Sequence, residues 1–340
     1  MSHILREAPA RLGLTRAWRA VHRHTVPVLM LHGVLPDADA RPFNLTGKFI
    51  SPEKLEVFLA RIARMFKVMD MKALVEGISS NRKFENQLLI TFDDGYQNVH
   101  DHAFLLLHRM GLPFTVFVTT GYVDTRALLW ADMVEFAIFH AKKALLPRGI
   151  LPVEHSLSAP RDRFAAAMLI KELLKRQPVD EAGRLVKSLF AQVDVDPEDP
   201  RLSAVRFLSS QGIKQMAAAG VTFGGHSVTH PILSRESRER TRVEVRQCKE
   251  TLEKITQGPV TCFAYPNGRR GDFNTAVKHE LAQAGYALAF TTIHGLYAPG
   301  DDPLEIKRVA VNSRWSYEEF ETRTSGILRR LGRQRSPGGQ

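Results

Sequence analysis

Two carboxylates stand side by side at the end of an apolar run, Leu88-Leu89-Ile90-Thr91-Phe92-Asp93-Asp94-Gly95-Tyr96. The run is short, rich in β-forming residues and bounded by polar ones, which predicts a buried strand. Neighbouring side chains on a strand point to opposite faces. Asp93 and Asp94 therefore share one site only if the chain leaves the strand there, and Gly95 permits that sharp exit. Sites in α/β folds gather at the carboxyl ends of strands, and this is such an end. Asp-Gly is also a common turn pair, so the motif alone reads equally well as an ordinary turn. A second group of residues shifts the balance. Val221-Thr222-Phe223, read as a strand, runs straight into Gly224-Gly225-His226-Ser227-Val228-Thr229-His230-Pro231. Two histidines four apart are expected on one side of a helical turn, where they can bind one metal. Such pairs arise by chance among 13 histidines, but this one too follows a strand. Two imidazoles and one carboxylate form a typical catalytic metal set that leaves positions open for water and substrate. Asp94 is the carboxylate assigned to it.

The elements that would position these residues alternate. Leu14, Ala17, Trp18 and Val21 mark a short basic amphipathic helix. Pro27 ends it, Val28-Leu29-Met30-Leu31 reads as a strand stopping at His32-Gly33, and 36–43 reads as a loop. Ser51-Pro52-Glu53 is a helix start, followed by a stripe of Leu55, Phe58, Leu59 and Ile62. A strand is expected at 66–69, a helix at 72–78, a helix carrying Ala103, Leu106, Leu107 and Met110, and a strand at 113–118. Helices at 236–255 and 274–284 then alternate with strands at 260–264, 287–292 and 306–311. Ser316-Tyr317-Glu318-Glu319 matches a capping box and opens a final helix with Phe320, Ile327, Leu328 and Leu331 on one face. Such alternation predicts an α/β fold with a parallel sheet, and seven or eight repeats predict a closed or nearly closed barrel. Residues 129–207 show helical patterns at 164–174 and 181–190 and no clear strands, and are read as a helical insertion. The expected organisation is a basic segment 1–26, a barrel 27–315 and a C-terminal helix and tail 316–340.

Composition is that of a soluble globular chain, with 44% apolar and 24% charged residues among 340. No apolar run approaches the roughly 18 residues that span a bilayer, and the N-terminus lacks the features of a secretory signal. Cys248 and Cys262 fall in a helical and a strand-like segment, so no disulfide framework is expected and a cytoplasmic location fits. The net charge of +11 is concentrated at the ends, at Arg6, Arg11, Arg16, Arg19 and Arg23 and again at Arg323, Arg329, Arg330, Arg333 and Arg335. These read either as solvated ends or as peripheral contacts with an anionic membrane at its inner face; an Arg-rich presequence is a third option. No nucleic-acid motif or interleaved basic-aromatic tract occurs.

Three segments occur in the order found in NodB-type polysaccharide deacetylases, the fourth carbohydrate esterase family, which the chain resembles over 87–314 outside the insertion. They are Thr91-Phe92-Asp93-Asp94-Gly95, His226-Ser227-Val228-Thr229-His230 and Phe263-Ala264-Tyr265-Pro266-Asn267-Gly268. The resemblance implies a distorted (β/α) barrel that removes acetyl groups from N-acetylated sugars with a divalent metal, zinc first, with cobalt, nickel or manganese as alternatives. Carried over by residue, it implies Asp94, His226 and His230 as metal ligands and Asp93 as general base. It further implies the backbone N–H of Tyr96 as an oxyanion donor and Tyr265, Pro266 and Asn267 as groove residues. Amide hydrolysis needs a nucleophile near neutral pH, and a metal lowers the pKa of water from 15.7 to about 7.

Two departures from the family pattern stand out. Its third motif usually begins with an arginine that orients the base, and here that position is Ala264. Arg308 is the substitute considered, against the simpler reading of a surface ion pair. The family's last motif, an apolar alternation ending in the general-acid histidine, is missing near the C-terminus. Val28-Leu29-Met30-Leu31-His32 fits it at the N-terminus, which resembles the circularly permuted order of the poly-N-acetylglucosamine deacetylases of biofilm systems. His32 is therefore the expected acid and His294 the reserve. Trp130 and Asp132 are read as a core tryptophan beside a helix-surface aspartate, and His100, His102 and His108 as packing or solvent-facing residues. The expected function is N-deacetylation of a sugar or polysaccharide precursor, such as a lipid-linked or nucleotide-linked N-acetyl sugar. Carbohydrate O-acetyl esterase and non-catalytic glycan-binding barrel are the alternatives.

Overall fold

The computed structural model describes residues 3–327. Two short helices, α1 (His3–Arg11) and α2 (Leu14–Val21), precede a barrel of seven parallel strands. The strands are β1 (Val28–Leu31), β2 (Gln87–Phe92), β3 (Thr115–Val118), β4 (Thr222–Gly225), β5 (Cys262–Ala264), β6 (Leu288–His294) and β7 (Ile306–Ala310). Strand β1 lies between β7 (Leu29 opposite Val309) and β2 (Val28 opposite Leu89, Leu31 opposite Phe92), and this double pairing closes the sheet. The closure is irregular. β4 and β5 meet only at Gly225 and Phe263, and the β6–β7 register shifts between Phe290 and His294. The short strand at Lys67–Val68 runs beside the start of β2.

Between β1 and β2 come α3 (Pro52–Met65) and α4 (Met71–Ser79). The Ser51 hydroxyl accepts from the Lys54 N–H and Asp70 from the Ala73 N–H, so both helices begin on a side-chain cap. Between β3 and β4 lie α5 (Trp130–His140), α6 (Pro160–Leu174), α7 (Val179–Val193) and α8 (Ser210–Ala218). Helix α9 (Arg238–Thr256) joins β4 to β5, α10 (Thr275–Gln283) joins β5 to β6, and α11 (Tyr317–Thr324) follows β7.

Strand alternation sorts the apolar residues into two layers. Leu88, Ile90 and Phe92 of β2 pack outward with Leu55, Phe58, Leu59 and Ile62 of α3. Val28, Leu89, Phe117, Ala264, Leu288, Phe290 and Ile306 cluster separately. Phe117 of β3 meets Phe290 of β6 with ring centroids 5.3 Å apart, though their strands are not neighbours, so this cluster fills the barrel interior. The same alternation turns Thr91 and Asp93 inward above Leu89.

Several local expectations are corrected. The 36–43 segment contains a helical turn at Asp37–Ala40 and a tighter one at Arg41–Phe43. The helix after the carboxylates opens with π-winding at Val99–Phe104 before α-geometry at Leu105–Arg109. The insertion does hold one small antiparallel pair, Leu145–Leu146 with His155–Ser156. The last helix stops at Thr324, where Gly326 at φ +85° turns the chain, so Ile327 lies beyond it; Leu328 and Leu331 fall outside the described residues. Of the five N-terminal arginines, Arg6, Arg11, Arg19 and Arg23 pair with Glu319, Glu7, Glu321 and Glu85. Both cysteines are free and buried. No helix among the described residues is long and apolar enough to cross a membrane.

Candidate active site

At the end of β2 the chain turns through two left-handed residues, Asp94 at φ +73° and Gly95 at φ +88°. That turn lets consecutive carboxylates face one cavity. A Cβ at Gly95 would lie 3.1 Å from the Val118 side chain, so glycine answers both the backbone angle and the close approach. Asp93 and Asp94 are buried.

The two histidines do not sit on a helical turn. His226 to His230 is an irregular loop in which Ser227 (φ +66°) and His230 (φ +62°) are left-handed. The loop is held from within, since the Ser227 hydroxyl accepts from the His230 N–H at 2.9 Å. It is also held from α9. Glu244, fully buried, accepts from the N–H groups of Val228 and Thr229, both at 2.8 Å, and from the Thr229 hydroxyl at 2.7 Å. The sequence reading missed Glu244 because nothing in its helical context distinguishes it from a surface glutamate.

The loop brings Nε2 of His226 to 3.3 Å and Nε2 of His230 to 3.5 Å from the same Asp94 oxygen, Oδ1. Ligand atoms of the three residues lie within 4.8 Å of one another. His226 Nδ1–H donates to the Ala264 carbonyl at 2.7 Å, so in the neutral ring Nε2 carries a lone pair. A lone pair then faces a carboxylate oxygen, a contact that either a proton on the ring or a cation between the two satisfies. The donor set therefore fits a divalent metal. Burial opposes charge on Asp94, but the bonds to His226 and His230 dominate and hold its carboxyl well below the usual range. For His226, burial lowers the pKa, and Asp94 and Asp93 outweigh it to give a net rise.

Asp93 faces Arg308, and here the surface-pair reading is overturned. Arg308 is fully buried inside the barrel, with Nη1 at 2.7 Å from Asp93 Oδ1 and Nη2 at 2.6 Å from Oδ2. Its Nε donates to the Thr291 carbonyl and Nη1 also to the Thr91 hydroxyl, and its guanidinium carbon lies 5.7 Å from the Phe117 ring centre. Ala264 belongs to the same interior, and its small side chain leaves room for the arginine that comes from β7 instead. Burial alone would raise the Asp93 carboxyl; Arg308 reverses this and the net shift is downward.

His32 follows the Leu31–Phe92 register pair and so lies beside Asp93. It lines the cavity, and its Nδ1 is buried without a hydrogen-bond partner. Burial lowers its pKa, with Asp94 and Asp93 acting in the opposite direction. Gly33 makes this approach possible, since a Cβ there would stand 2.5 Å from Asn98 Oδ1. His294 is exposed at the end of β6 and does not line the cavity.

Tyr96 is wholly buried, and its hydroxyl donates to Asp132 Oδ2 at 2.6 Å while accepting from Lys48 Nζ at 2.9 Å. Its backbone N–H has no hydrogen-bond acceptor among the described residues. Asp132 is therefore not a helix-surface aspartate; it is fully buried and ion-paired with Lys48. One turn on along α5, Glu135 is buried against Lys171 of α6 and accepts from the Leu45 N–H. Lys48, Lys171 and Glu135 escaped the sequence reading, because lysines and acids scattered over 48–171 carry no spacing signal.

The cavity above these residues has a volume of about 310 Å³ and is lined by His32, Asp93, Asp94, His226 and His230. Tyr265 and Asn267 contribute to its wall, but Pro266 is buried and does not. The Tyr265 hydroxyl points away, donating to the Leu304 carbonyl at 2.8 Å, and the ring stacks on Phe273. Trp130, expected in the core, is half-buried and lines the cavity. His100 bonds Asp101 and Gln215, and His102 lines a separate surface cleft.

Among solved structures, the chain is similar to the Streptococcus pyogenes deacetylase PplD in complex with acetate (TM-score 0.59, 17% identity, 88% of this chain and 98% of that one). It is similar also to IcaB from Ammonifex degensii (0.56, 18%, 88% and 97%) and to a de-N-acetylase from Aggregatibacter actinomycetemcomitans (0.56, 12%, 88% and 99%). At these identities the likeness shows the fold, a closed parallel deacetylase barrel. No curated protein matches the chain. The polysaccharide deacetylase family profile matches residues 80–145 and 170–289, on both sides of the insertion's middle, and the chain belongs to the polysaccharide deacetylase family.

Proposed function

We propose that the chain is a metal-dependent hydrolase that removes N-acetyl groups from an N-acetylated sugar or polysaccharide precursor. The observation that carries this reading is the meeting of Asp94, His226 and His230 beside a second, separately held carboxylate, Asp93, in one cavity. A divalent cation held by Asp94, His226 and His230, zinc in the first instance, would supply Lewis acidity toward water and the acetyl carbonyl.

The chain's own residues account for the proton movements. Asp93, kept ionised and fixed in orientation by the two-pronged Arg308 contact, takes the proton of the attacking water. The Tyr96 N–H, free of a backbone acceptor, donates to the oxygen that gains charge as the carbonyl carbon becomes tetrahedral. His32, just past the end of the neighbouring strand β1, protonates the departing amine. Trp130 and Asn267 border the space for the sugar.

The test is acetate release from a panel of N-acetylhexosamine conjugates, with and without a chelator, for the wild type and Asp93→Asn. Release that is abolished by the chelator and lowered by about 10²-fold or more in Asp93→Asn supports the reading. Chelator-insensitive release contradicts metal dependence, and release confined to O-acetyl conjugates would reassign the chain as an esterase.

A further inference from the structure

The cavity over Asp93 and Asp94 does not end at the catalytic groups. A second cleft, of about 210 Å³, continues from it, and Trp130, Lys175, His230 and Asn267 line both. Its remaining wall is mostly uncharged, but it carries two arginines, Arg176 and Arg235, beside the shared Lys175. Lys175 and Arg176 directly follow the insertion helix α6, Arg235 comes from the segment after the histidine loop, and Arg269 follows the Asn267 turn on the wall of the first cavity. Lys175 pairs with Glu172 at 2.8 Å. Arg235 spends one Nη on the Lys175 carbonyl at 2.6 Å, which leaves its other donors available. Arg176 and Arg269 form no close ion pair among the described residues, although with Lys175, the main cause, both lower the pKa of the nearby Glu172 carboxylate. Glu236 is the sole acid lining this second cleft among those residues. Lys48 and Lys171, deeper in, are each neutralised by a buried acid, Asp132 and Glu135.

Gathering like charges around a concavity raises the local potential and favours a counter-anion there. Guanidinium groups suit phosphate and carboxylate in particular, because their donors match two oxygens at once. A neutral N-acetylated polymer would offer these arginines only hydroxyl and carbonyl oxygens, without a charge to match theirs.

We infer that the cleft lined by Lys175, Arg176 and Arg235, with Arg269 on the adjoining wall of the first cavity, is an anion subsite, and that the substrate carries a phosphate ester or a carboxylate next to its N-acetyl sugar. The inference rests on the deacetylase reading above and narrows its substrate. Trp130, at the junction, divides the sugar from its charged substituent.

Three probes separate the possibilities: methyl N-acetylglucosaminide, N-acetylglucosamine 1-phosphate, and a disaccharide of N-acetylglucosamine with glucuronate. Deacetylation is measured with the zinc-loaded protein, and binding to the metal-free protein by calorimetry. One or both charged probes are expected to show a kcat/KM higher than the neutral glycoside by roughly tenfold, the scale of a charge-assisted contact. Binding should follow the same order and weaken with salt. A preference for the phosphate alone or the carboxylate alone identifies the source of the charge. In Arg235→Ala and Arg269→Ala the ratio of charged to neutral kcat/KM falls toward one. In Arg64→Ala, an exposed position on α3 outside both cavities, it stays unchanged. Equal kcat/KM for all three probes, or an equal fall in Arg64→Ala, overturns the subsite while leaving the deacetylase reading in place. Failure of all three to release acetate, with charged probes still bound preferentially, removes that reading and keeps the subsite.

Discussion

Arg308 and Asp93 are 215 residues apart in sequence, yet inside the barrel the guanidinium grips both carboxylate oxygens, at 2.7 and 2.6 Å. The family resemblance implied an arginine at position 264. The pair sets an arginine against this carboxylate from another strand, which is possible because residues from β5 and β7 share one enclosed interior.

Arg308→Met keeps bulk and removes charge. Breaking a buried pair by deleting one partner costs about 3–5 kcal/mol, to be read by denaturant unfolding. The Asp93 pKa is lowered in the folded state, so the pair's contribution is fully present above the ordinary carboxylate pKa and fades as pH falls through the lowered value. In the variant the remaining burial pushes that pKa up. The acidic limb of kcat/KM against pH is then expected to move upward by about one unit or more. An unmoved limb with unchanged stability would separate Arg308 from the base.

Glu244 tests how the histidine loop is held. Glu244→Ala frees two part-buried N–H groups and a hydroxyl, at up to about 1–3 kcal/mol for a group that water does not reach, and loosens the loop between His226 and His230. Zinc affinity measured by competition with a chromophoric chelator is expected to fall 10–100-fold. Wild-type affinity in a folded Glu244→Ala protein would show that the left-handed residues alone set the loop.

The Lys48–Tyr96–Asp132 network makes a separate prediction. Lys48→Met leaves the buried Asp132 with the Tyr96 hydroxyl but no counter-charge, with an expected loss of about 3–5 kcal/mol. The double variant Lys48→Met/Asp132→Leu should recover part of it, because the orphaned charge is gone. Additive losses in this cycle would argue against coupling.

What was legible in the sequence followed from local rules. Strand ends at Asp93 and His226 are marked by apolar runs that stop on polar residues, and the capped starts at Ser51 and Ser316 carry their own signals. The closure of β1 between β7 and β2 was implied only by the displaced His32 motif. Contacts that depend on three-dimensional return were hidden. Arg308 looks like any strand cation, Asp132 like any helix acid, and Glu244 like its many charged neighbours in α9. The His226–His230 spacing was misread as helical because 3.6-residue periodicity and an irregular loop with two positive φ angles can bring the same pair together.

Asp94 bears the last prediction, and its backbone dictates the variant. At φ +73° an alanine would add left-handed strain to the loss of a ligand, whereas asparagine tolerates that region and keeps the size. Asp94→Asn should therefore fold, and any lost zinc response belongs to the missing charge. A ligand that binds only the folded state stabilises it by RT ln(1 + [L]/Kd), about 4.1 kcal/mol at a thousand times Kd. The wild type is accordingly expected to melt higher with zinc than after chelation, with the difference abolished or sharply reduced in Asp94→Asn and in His230→Ala. An undiminished zinc-dependent rise in all variants would place the cation elsewhere in the molecule, and with it the proposed chemistry.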